Sequence, residues 1–319
     1  MTNSLAVAVD PIDVSVILVC WNSLHLTSTA IQTLREHTTG VRYEIIVIDN
    51  GSVTDASATE LGRFPDIRLI LNPENLGFAA ANNQGLAVAQ GRHVLLLNSD
   101  TEQTENAIGR AVEYMDAHPQ VGILGVMHRN GDPGRTFQQS AAPFPTPMAG
   151  CRRLLLGIFK KPRPLAPTEP PPERDVDWVT GSFLLARRAC LDQVGPLDER
   201  FYVYAEDIDL CYQARKAGWK VRFWPGVSLV HLGSSSADQV ADKTFMLYRN
   251  ELEFFRKNQP PLATFAFYAV MTARLGFSTI YQAGRLVGGR ARWSDVRVRW
   301  NRLWNFMTLR SDRSGLVRS

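Results

Sequence analysis

The chain has 319 residues, of which 45% are hydrophobic and 21% charged; this excludes an intrinsically disordered protein and leaves room for one large α/β domain with an appendage. The formal net charge is +4, but nine arginines from Arg285 onward against Asp295 and Asp312 give this tail +7 and leave about −3 for the rest of the chain. The basic charge therefore belongs to the tail and not to the body. We expect no nucleic-acid partner.

The four cysteines lack paired C-x-x-C spacing, which argues against a zinc knuckle or a disulfide framework. Residues 1–13 carry neither the basic start nor the long apolar core of a signal peptide. Together these features favour a chain that works in a reducing cytoplasm.

Short β-rich runs alternate with helical patterns along the first part of the chain, which predicts βαβ units and an α/β fold with a mainly parallel central sheet. The expected strands are 14–22, 43–52, 67–75 and 93–98, and the expected helices are 26–38, 78–90 and 101–118. Right-handed crossovers bring the carboxyl ends of parallel strands to one edge, where α/β proteins bind their ligands. The polar residues at these ends are Asn22, Asp49, Asn50, Asn75 and Asp100.

The strand 93–98 runs almost directly into Asp100, in the stretch HVLLLNSDT. A carboxylate at the carboxyl end of a buried strand is held rigidly at the crevice, which suits a metal ligand or a nucleotide contact. An equally strong alternative is that Asp100 is the N-cap of the next helix, where aspartate is favoured. Asp49 likewise has the simpler interpretation of anchoring the turn DNGS, which is rich in turn formers.

A dense acidic cluster, Glu206, Asp207 and Asp209, lies within the aromatic and apolar stretch YVYAEDIDLCY. Helical spacing places Asp207 on the face of Leu210 and Cys211, and the other two acids on a neighbouring face. Acidic groups embedded in this way usually have a partner or a task. The simpler alternative is a solvated first helical turn, where the helix dipole favours acids.

Residues 160–175, KKPRPLAPTEPPPERD, are rich in proline and are expected to be extended, without regular structure. This stretch either borders an acceptor opening or, as we favour, is a linker within the domain. We expect the α/β domain to cover residues 1–258 and a helical, membrane-associating extension to cover 259–319.

Two features of this extension concern membranes. The run 262–284 has the length to span a bilayer but is interrupted by Arg274, which predicts a partly buried or interfacial hairpin instead of a transmembrane helix. After it, large apolar residues recur at helical spacing and arginines fall largely elsewhere, which predicts a basic amphipathic helix on an anionic membrane surface. The apolar residues are Trp293, Val296, Trp300, Leu303, Trp304 and Met307. A dimerisation helix, and hence a homodimer, is the alternative.

Eight motifs follow one another between residues 14 and 257. They are VSVILVCWN, EIIVIDNGSVTD, NLGFAAANNQG, HVLLLNSDT, WVTGSFLLARRA, FYVYAEDIDLCYQARKAGWKV, VHLG and LYRNELEFF. In this order they resemble glycosyltransferase family 2, specifically its rhamnosyltransferase-like branch. The resemblance implies a GT-A fold, a nucleoside diphosphate sugar donor, a divalent metal ion and inversion at the anomeric carbon.

The resemblance also implies roles for individual residues on the nucleotide side. Asn22 and Asp49 would contact the base and ribose, and Asn50 and Ser52 would support that turn. The segment NLGFAAANN resembles the one that flanks the nucleotide in the family. It contributes the candidate residues Asn75, Gly77 and Asn82.

The implied metal site involves the stretch NSD, which stands where the family has its D-x-D motif. Asn98 replaces the first aspartate, so Asp100 is the remaining carboxylate ligand and Ser99 lies beside the donor. One carboxylate together with substrate phosphates is a common arrangement for Mg²⁺. His231 resembles a position that adds a nitrogen ligand, which suits Mn²⁺ better, although a structural histidine is the alternative.

Arg249 is implied to contact the diphosphate in bidentate geometry, unless it forms a surface ion pair with Glu253. Trp178, Gly181 and Ser182 match the family's segment near donor and acceptor. Trp178 would stack on a sugar face or, as the alternative, be a buried structural tryptophan.

For catalysis, the resemblance assigns Asp207 as the base that takes the acceptor hydroxyl's proton. Glu206 and Asp209 would support the helix start or bind acceptor hydroxyls. Inversion by direct displacement needs one such group and no covalent intermediate.

The sequence thus predicts a cytoplasmic inverting glycosyltransferase, peripheral at the inner face of the plasma membrane. Its donor is expected to be a dTDP- or UDP-linked sugar, rhamnose or a relative, and its acceptor a lipid-linked or cell-surface glycan. A nicotinamide dehydrogenase would need G-x-G-x-x-G after the first strand, and a nucleotidyltransferase a glycine-rich basic loop; neither motif occurs. A non-catalytic nucleotide-sugar binding module is the remaining alternative.

Overall fold

The computed structural model describes residues 11–146, 148, 170–233 and 243–308. The chain forms two compact units, which we describe separately. The first comprises Met1–Ala142, Ala166–Tyr202 and Glu206–Ser235, and the second Pro143–Leu165, Val203–Ala205 and Ser236–Ser319, each taken at its described residues. The domain boundary expected at residue 258 stays a prediction.

The strands and helices of the first unit alternate as the sequence predicts. Its strands are β1 (Val14–Cys20), β2 (Tyr43–Asn50), β3 (Ile67–Asn72), β4 (His93–Asn98), β5 (Thr101–Gln103), β6 (Val121–Arg129), β7 (Phe137–Gln138), β8 (Ala141–Ala142), β9 (Arg174–Asp175), β10 (Trp178–Val179), β11 (Phe183–Arg187) and β12 (Lys220–His231). Its helices are α1 (Leu24–His37), α2 (Ser57–Leu61), α3 (Phe78–Val88), α4 (Ala107–Ala117), α5 (Arg188–Val194) and α6 (Glu206–Lys216).

The main sheet has the strand order β3-β2-β1-β4-β11-β6-β12-β5 within the described part of the chain. The pairs β3–β2, β2–β1, β1–β4 and β6–β12 are parallel, whereas β11 runs antiparallel to both of its neighbours. The α/β fold with a mainly parallel central sheet is therefore confirmed. Because β11 is reversed, its amino end lies beside the carboxyl end of β4, with Phe183 opposite Leu97.

The central strands are apolar on both faces because helices cover both sides of the sheet. Along β1, Val16 and Leu18 belong to one core cluster with residues of α1 and α4, whereas Ile17 belongs to a second cluster on the opposite face. All three side chains are fully buried. Successive side chains of a pleated strand point to opposite faces, so an apolar strand such as β1 is buried on both sides.

Two local expectations are wrong. The helix expected over 101–118 begins only at Ala107, and the side chain of Asn106 caps it by accepting a bond from the N–H of Gly109 at 3.1 Å. Residues 101–103 instead form β5, which pairs with β12, so Asp100 is not a helix cap. In the proline-rich stretch, residues 160–169 lie outside the described residues, and Arg174–Asp175 pairs with β12 as β9 because both residues follow the last proline.

The second unit contains the helices α7 (Lys243–Asn258), α8 (Pro261–Val287) and α9 (Trp293–Thr308). Tyr268 of α8 stacks on Phe306 of α9, and its hydroxyl donates a hydrogen bond to the carbonyl of Met307, so α8 and α9 pack against each other. The hairpin expected over 262–284 is wrong, because these residues lie within one continuous, partly buried helix. Among the described residues, no helix combines the length and the apolar character that crossing a membrane requires. The part of the tail after residue 308 lies outside the described residues.

Candidate active site at the carboxyl edge of the sheet

The loops after β1 and β2 are joined to each other through Asn22. Its side-chain oxygen accepts hydrogen bonds from the N–H groups of Val53 and Thr54, at 2.8 and 3.0 Å, and its own N–H donates to Ser52 Oγ at 2.9 Å. Asn22 has φ 49°, a left-handed conformation that asparagine tolerates. The buried Asp49 accepts from the N–H of Ser52, as the turn interpretation expects, so these three candidate residues lie together.

Asn50 holds the segment after β3. Its Nδ2 donates to Asn75 Oδ1 at 2.9 Å and to the carbonyl of Gly77 at 3.2 Å, and its Oδ1 accepts from the N–H of Leu76. Gly77 has φ 90°, and a Cβ there would lie 2.6 Å from the ring of Tyr202. Only glycine fits this position. The hydrogen bonds of Asn50 fix the segment 75–77 beside the loop that follows β2.

Two further nucleotide-side candidates are buried. Asn82 lies in α3 and donates to the carbonyl of Phe78 at 2.8 Å, one turn earlier. The hydroxyl of Ser99 is buried 3.5 Å from that of Ser23. The contacts of both residues are internal to the fold.

Asp100 and His231 meet at the ends of β4 and β12. Asp100 Oδ1 lies 3.2 Å from His231 Nε2, and Asn98 Nδ2 lies 3.4 Å from the same nitrogen. The N–H of Leu232 donates to the Asp100 carbonyl at 2.9 Å, which fixes the two chain segments side by side. Within the described residues, no group of three or more histidine, cysteine or acidic side chains forms a metal cluster.

A chain of hydrogen bonds sets the tautomer of His231. Asp132 can only accept, so Thr136 donates its hydroxyl hydrogen to it and accepts from Asn130 Nδ2. Asn130 Oδ1 then accepts from Gln138 Nε2, which also donates to the His231 carbonyl at 3.3 Å. Gln138 therefore turns its oxygen to His231 Nδ1, 2.6 Å away, and Nδ1 carries the hydrogen.

In the neutral imidazole, the remaining nitrogen of His231, Nε2, is an acceptor that faces a carboxylate oxygen of Asp100. Asn98 Nδ2 is a long donor to this nitrogen, at 3.4 Å, and a proton or a metal ion between Nε2 and Asp100 Oδ1, 3.2 Å apart, would relieve the repulsion of the two acceptors. The separation is close to the distance of about 2.9 Å between adjacent ligands of an octahedral ion with bonds of about 2.0–2.1 Å. A carboxylate with an imidazole is also a donor set that divalent ions accept. The residues present therefore fit a divalent metal.

His128, at the end of β6, lies beside this pair. Its ring centroid is 5.7 Å from that of His231, its Nδ1 lies 3.3 Å from Ser182 Oγ, and its buried Nε2 has no hydrogen-bond partner among the described residues. Burial, reinforced by His231, lowers the pKa of His128 to about 3, so its ring is neutral. Nothing in the sequence motifs singled out this histidine.

Asp207 is held at the amino end of α6 by two backbone groups. Its Oδ2 accepts from the N–H of Gly181 at 3.0 Å and its Oδ1 from the N–H of Ile208 at 2.8 Å. Burial raises the pKa of Asp207 above the usual aspartate range, although these bonds oppose the shift. The carboxylate is therefore fixed in orientation and is more basic than an exposed aspartate.

The neighbouring acids are buried as well. Glu206 has an Oε2 without a partner in the described part of the chain, and burial, followed by the charge of Asp207, raises its pKa well above the usual range. Asp209 is 3% exposed. The alternative of a solvated first helical turn is therefore wrong.

The start of β11 connects the two groups of polar residues. Gly181 bonds to Asp207, and the carbonyl of the next residue, Ser182, accepts from the N–H of Asn98 at 3.2 Å. Asn98 in turn adjoins His231. The sheet thus brings Asp207 and the Asp100–His231 pair to one edge, although residues 100, 207 and 231 are far apart in sequence.

Two candidates remain. Trp178 is half-buried in β10, which pairs with β8. Arg249 is half-buried on α7 of the second unit, and Glu253, its possible ion-pair partner, pairs with Arg256 at 2.6 Å, so that alternative is wrong. The sequence analysis missed His128 and Gln138, because neither belongs to a recognisable spacing.

Comparison with known proteins gives consistent matches. The family model for glycosyl transferase family 2 matches residues 15–170. An N-acetylglucosaminyl-diphospho-decaprenol L-rhamnosyltransferase of Mycobacterium tuberculosis is 30% identical over 59% of this chain and 66% of its own length. A rhamnosyltransferase of Escherichia coli is 24% identical over 53% of this chain and 66% of its own length. The chain thus matches just under two thirds of these relatives.

Solved structures show the same fold. A mannosyltransferase from Pyrobaculum calidifontis, in complex with GDP-mannose and Mn²⁺, has a TM-score of 0.54 at 18% identity over 94% of this chain and 86% of its own. A GalNAc-T7 structure with UDP, GalNAc and Mn²⁺ has a TM-score of 0.56 at 16% identity over 77% of this chain and 48% of its own. These likenesses concern the fold, which is that of GT-A glycosyltransferases.

Proposed function

The chain belongs to glycosyltransferase family 2, and on that premise we propose that it moves a sugar from a nucleoside diphosphate sugar to an acceptor hydroxyl, with inversion at the anomeric carbon. The observation that carries the proposal is that Asp207 and the Asp100–His231 pair lie at the same edge of the sheet, connected through Gly181, Ser182 and Asn98. This edge is where α/β folds bind nucleotides.

Asp207 is the base in this proposal. An inverting displacement needs one group that accepts the acceptor's proton while the hydroxyl oxygen attacks, and the leaving diphosphate departs on the opposite side. A carboxylate held by the N–H groups of Gly181 and Ile208 is positioned for this task. Its raised pKa strengthens it as a base. Glu206 and Asp209 support the helix start or bind acceptor hydroxyls.

The loops with Asn22, Asp49 and Ser52 would bind the base and ribose of the donor. Their backbone and side-chain groups hold one another in place before any ligand arrives, so binding would require little reordering. Asn50 supports the neighbouring segment through its amide, and Arg249 is proposed to contact the diphosphate.

Asp100 and His231 would hold the divalent metal, Mg²⁺ or Mn²⁺. When bound, the ion neutralises negative charge on the nucleoside diphosphate. Gln138 supports this site by keeping the hydrogen on His231 Nδ1, which leaves Nε2 as the ligand atom.

We further propose a dTDP- or UDP-linked donor, with rhamnose or a related sugar, and a lipid-linked or cell-surface glycan acceptor. Similarity to an N-acetylglucosaminyl-diphospho-decaprenol L-rhamnosyltransferase supports the choice of sugar and of a lipid-linked acceptor. The test is to incubate the protein with Mn²⁺, a panel of nucleoside diphosphate sugars and a prenyl-diphosphate-linked sugar, and to measure product by mass spectrometry. Donor binding without product in every combination would favour a non-catalytic binding module.

The acceptor class and the basic tail together support a peripheral position on the cytoplasmic face of the membrane. On α9, Trp293, Trp300 and Trp304 are exposed, and tryptophan is favoured at membrane–water interfaces. Binding to anionic vesicles that weakens with salt tests this proposal. A concentration-dependent homodimer that does not bind vesicles would instead support the dimerisation alternative.

A further inference from the structure

His128 lies behind the candidate active site and contacts both of its halves. Its ring centroid is 5.7 Å from that of His231, on the metal side, and its Nδ1 is 3.3 Å from Ser182 Oγ, on the side of the proposed base. Its backbone is paired on both sides, with β12 and with β7. The ring therefore projects from a fixed point of the sheet.

A histidine at this position leaves one polar atom unsatisfied. Its Nε2 is buried and has no hydrogen-bond partner within the described residues, which is unfavourable for a buried polar group. A phenylalanine ring would pack in the same place without this loss. In the described part of the chain, the bond between Nδ1 and Ser182 Oγ is the one hydrogen bond of the ring, so the consequence of its polarity lies with Ser182.

Ser182 belongs to the turn 180–183, which presents a backbone N–H to the proposed base. The N–H of Gly181 donates to Asp207 Oδ2 at 3.0 Å. The backbone bond that closes the turn, from its last N–H to its first carbonyl, is long at 3.4 Å. Gly181 has no side chain, and a Cβ there would meet no atom closer than 3.4 Å, so close packing does not hold this residue.

Hydrogen bonds to Ser182 and Thr180 supply the anchors of this turn. Ser182 Oγ bonds to Thr180 Oγ1, and the N–H of Ser182 donates to the same oxygen at 3.3 Å. These contacts stay within the turn. Its backbone is tied to the carbonyl of Ser140 and to the N–H of Asn98, whereas the bond to His128 ties it to β6 through a side chain.

We propose that His128 is a positioning residue for the base: its bond to Ser182 keeps the turn 180–183 in the conformation in which the Gly181 N–H points at Asp207. The inference rests on the proposed role of Asp207 as the base and adds a group that orients it. It gives His128 no contact with the substrate or the metal ion.

Loss of this bond has a consequence that a loss of stability alone does not have. The Gly181 N–H lowers the pKa of Asp207 against the effect of burial, so the pKa should rise further when this N–H moves away. The acid-side drop in kcat then moves to higher pH, and the maximal kcat falls because the carboxylate is less well oriented. The titratable neighbours of Asp207 on α6, Glu206, Asp209 and Cys211, are the same in every variant below.

The test removes the bond from each of its ends. His128→Phe keeps a ring beside His231 but cannot bond to Ser182, and Ser182→Ala removes the other partner. We expect each variant to lose about three- to tenfold in kcat with little change in the donor KM, since one neutral hydrogen bond corresponds to about this factor in rate. The double variant should lose no more than Ser182→Ala alone, because both changes break the same bond. His128→Asn should restore most of the loss, since its amide lies about where Nδ1 does and can donate or accept.

His93→Phe is the matched control. His93 and His128 are both 1% exposed, and each has one buried ring nitrogen without a partner among the described residues, but His93 lies at the amino end of β4, away from the site. Its replacement should lower stability in urea unfolding without moving the pH profile. The profile is measured by release of nucleoside diphosphate from dTDP-rhamnose with a prenyl-diphosphate-linked sugar. The pKa of Asp207 is also read directly by ¹³C NMR of its carboxyl carbon, with Asp207→Asn identifying the signal.

The NMR measurement separates this inference from the proposed function. If the unaltered protein releases no nucleoside diphosphate, the proposed function fails, and the Asp207 pKa still decides whether His128 orients this carboxylate. A folded His128→Phe with an unchanged Asp207 pKa would overturn the inference, and so would an equal shift in His93→Phe. Losses that add in the double variant would show that His128 does not act through Ser182. If His128→Phe does not fold, Ser182→Ala decides in its place: an unchanged Asp207 pKa in that variant overturns the inference.

Discussion

Replacement of Asp207 by asparagine tests the proposed base most directly. Asparagine keeps the shape of the side chain but cannot take a proton from the acceptor. Positioned base catalysis contributes about 10²–10⁴ in rate, which corresponds to about 2.7–5.5 kcal/mol in the activation barrier. We therefore expect kcat to fall by about this factor, with little change in the KM for the donor.

The effect on stability should be small, because two opposing changes nearly cancel. Asparagine Oδ1 can accept from one of the two N–H groups, Gly181 or Ile208, but its NH₂ faces the other, at a cost of about 0.5–1.5 kcal/mol. The substitution also removes a carboxylate whose pKa is raised by burial, which stabilises the folded state near neutral pH. The net change in the free energy of unfolding should be within about 1 kcal/mol.

The assay measures release of the nucleoside diphosphate in the presence of acceptor, together with urea unfolding of each variant. Asp209→Asn is the control and should cost less activity, because Asp209 is not bonded to Gly181. The acid limb of the pH–rate profile is a second readout. Because the pKa of Asp207 is raised, kcat should drop on the acid side at a pH higher than the ordinary aspartate pKa of about 3.9. This acid-side drop should be absent in Asp207→Asn.

Near-normal turnover by Asp207→Asn would refute the assignment. If Glu206→Gln or Asp209→Asn lost activity instead, the base would be that neighbour. A large loss of stability in Asp207→Asn would show that the two backbone bonds are mainly structural, and the kinetic result would then carry no weight for catalysis.

Three further predictions concern neighbouring groups. Asp100→Asn should abolish turnover with an unchanged melting temperature if Asp100 ligates the metal, and full activity in excess EDTA would contradict this. Glu206→Gln should flatten the pH dependence of stability: the raised folded-state pKa of Glu206 gives stability that is present below about pH 4.3, the ordinary glutamate pKa, and is lost as pH rises. In urea unfolding, the free energy of unfolding of the variant relative to the unaltered protein should therefore be higher at pH 8 than at pH 5. The same difference between the two proteins at both pH values would contradict a buried charge on Glu206. Gln138→Met should shift the His231 hydrogen from Nδ1 toward Nε2 in ¹⁵N NMR and weaken Mn²⁺ binding by about 10–100-fold; Gln139→Met is the matched control, and an unchanged tautomer would contradict the role of Gln138.

Much of the first unit could be predicted from the sequence because its signals are local. The apolar runs of β1, β2 and β4 and the helical pattern of α3 depend on neighbouring residues, and the structure has them within a few residues of the expected bounds. Turn chemistry is also local, so the bond between Asp49 and the N–H of Ser52 follows from the DNGS sequence. The motifs in their order further indicated the family.

Tertiary structure alone decided which polar groups meet. Residues 101–103 follow a helical composition, but pairing with β12 makes them a strand, because ladder hydrogen bonds to a distant segment outweigh a weak local preference. Gln138 reaches His231 across 93 positions, and Asp207 reaches Gly181 across 26. Such contacts depend on the strand order and on the reversed direction of β11, which no local pattern specifies, so the candidate residues were predictable one by one and their geometry was not.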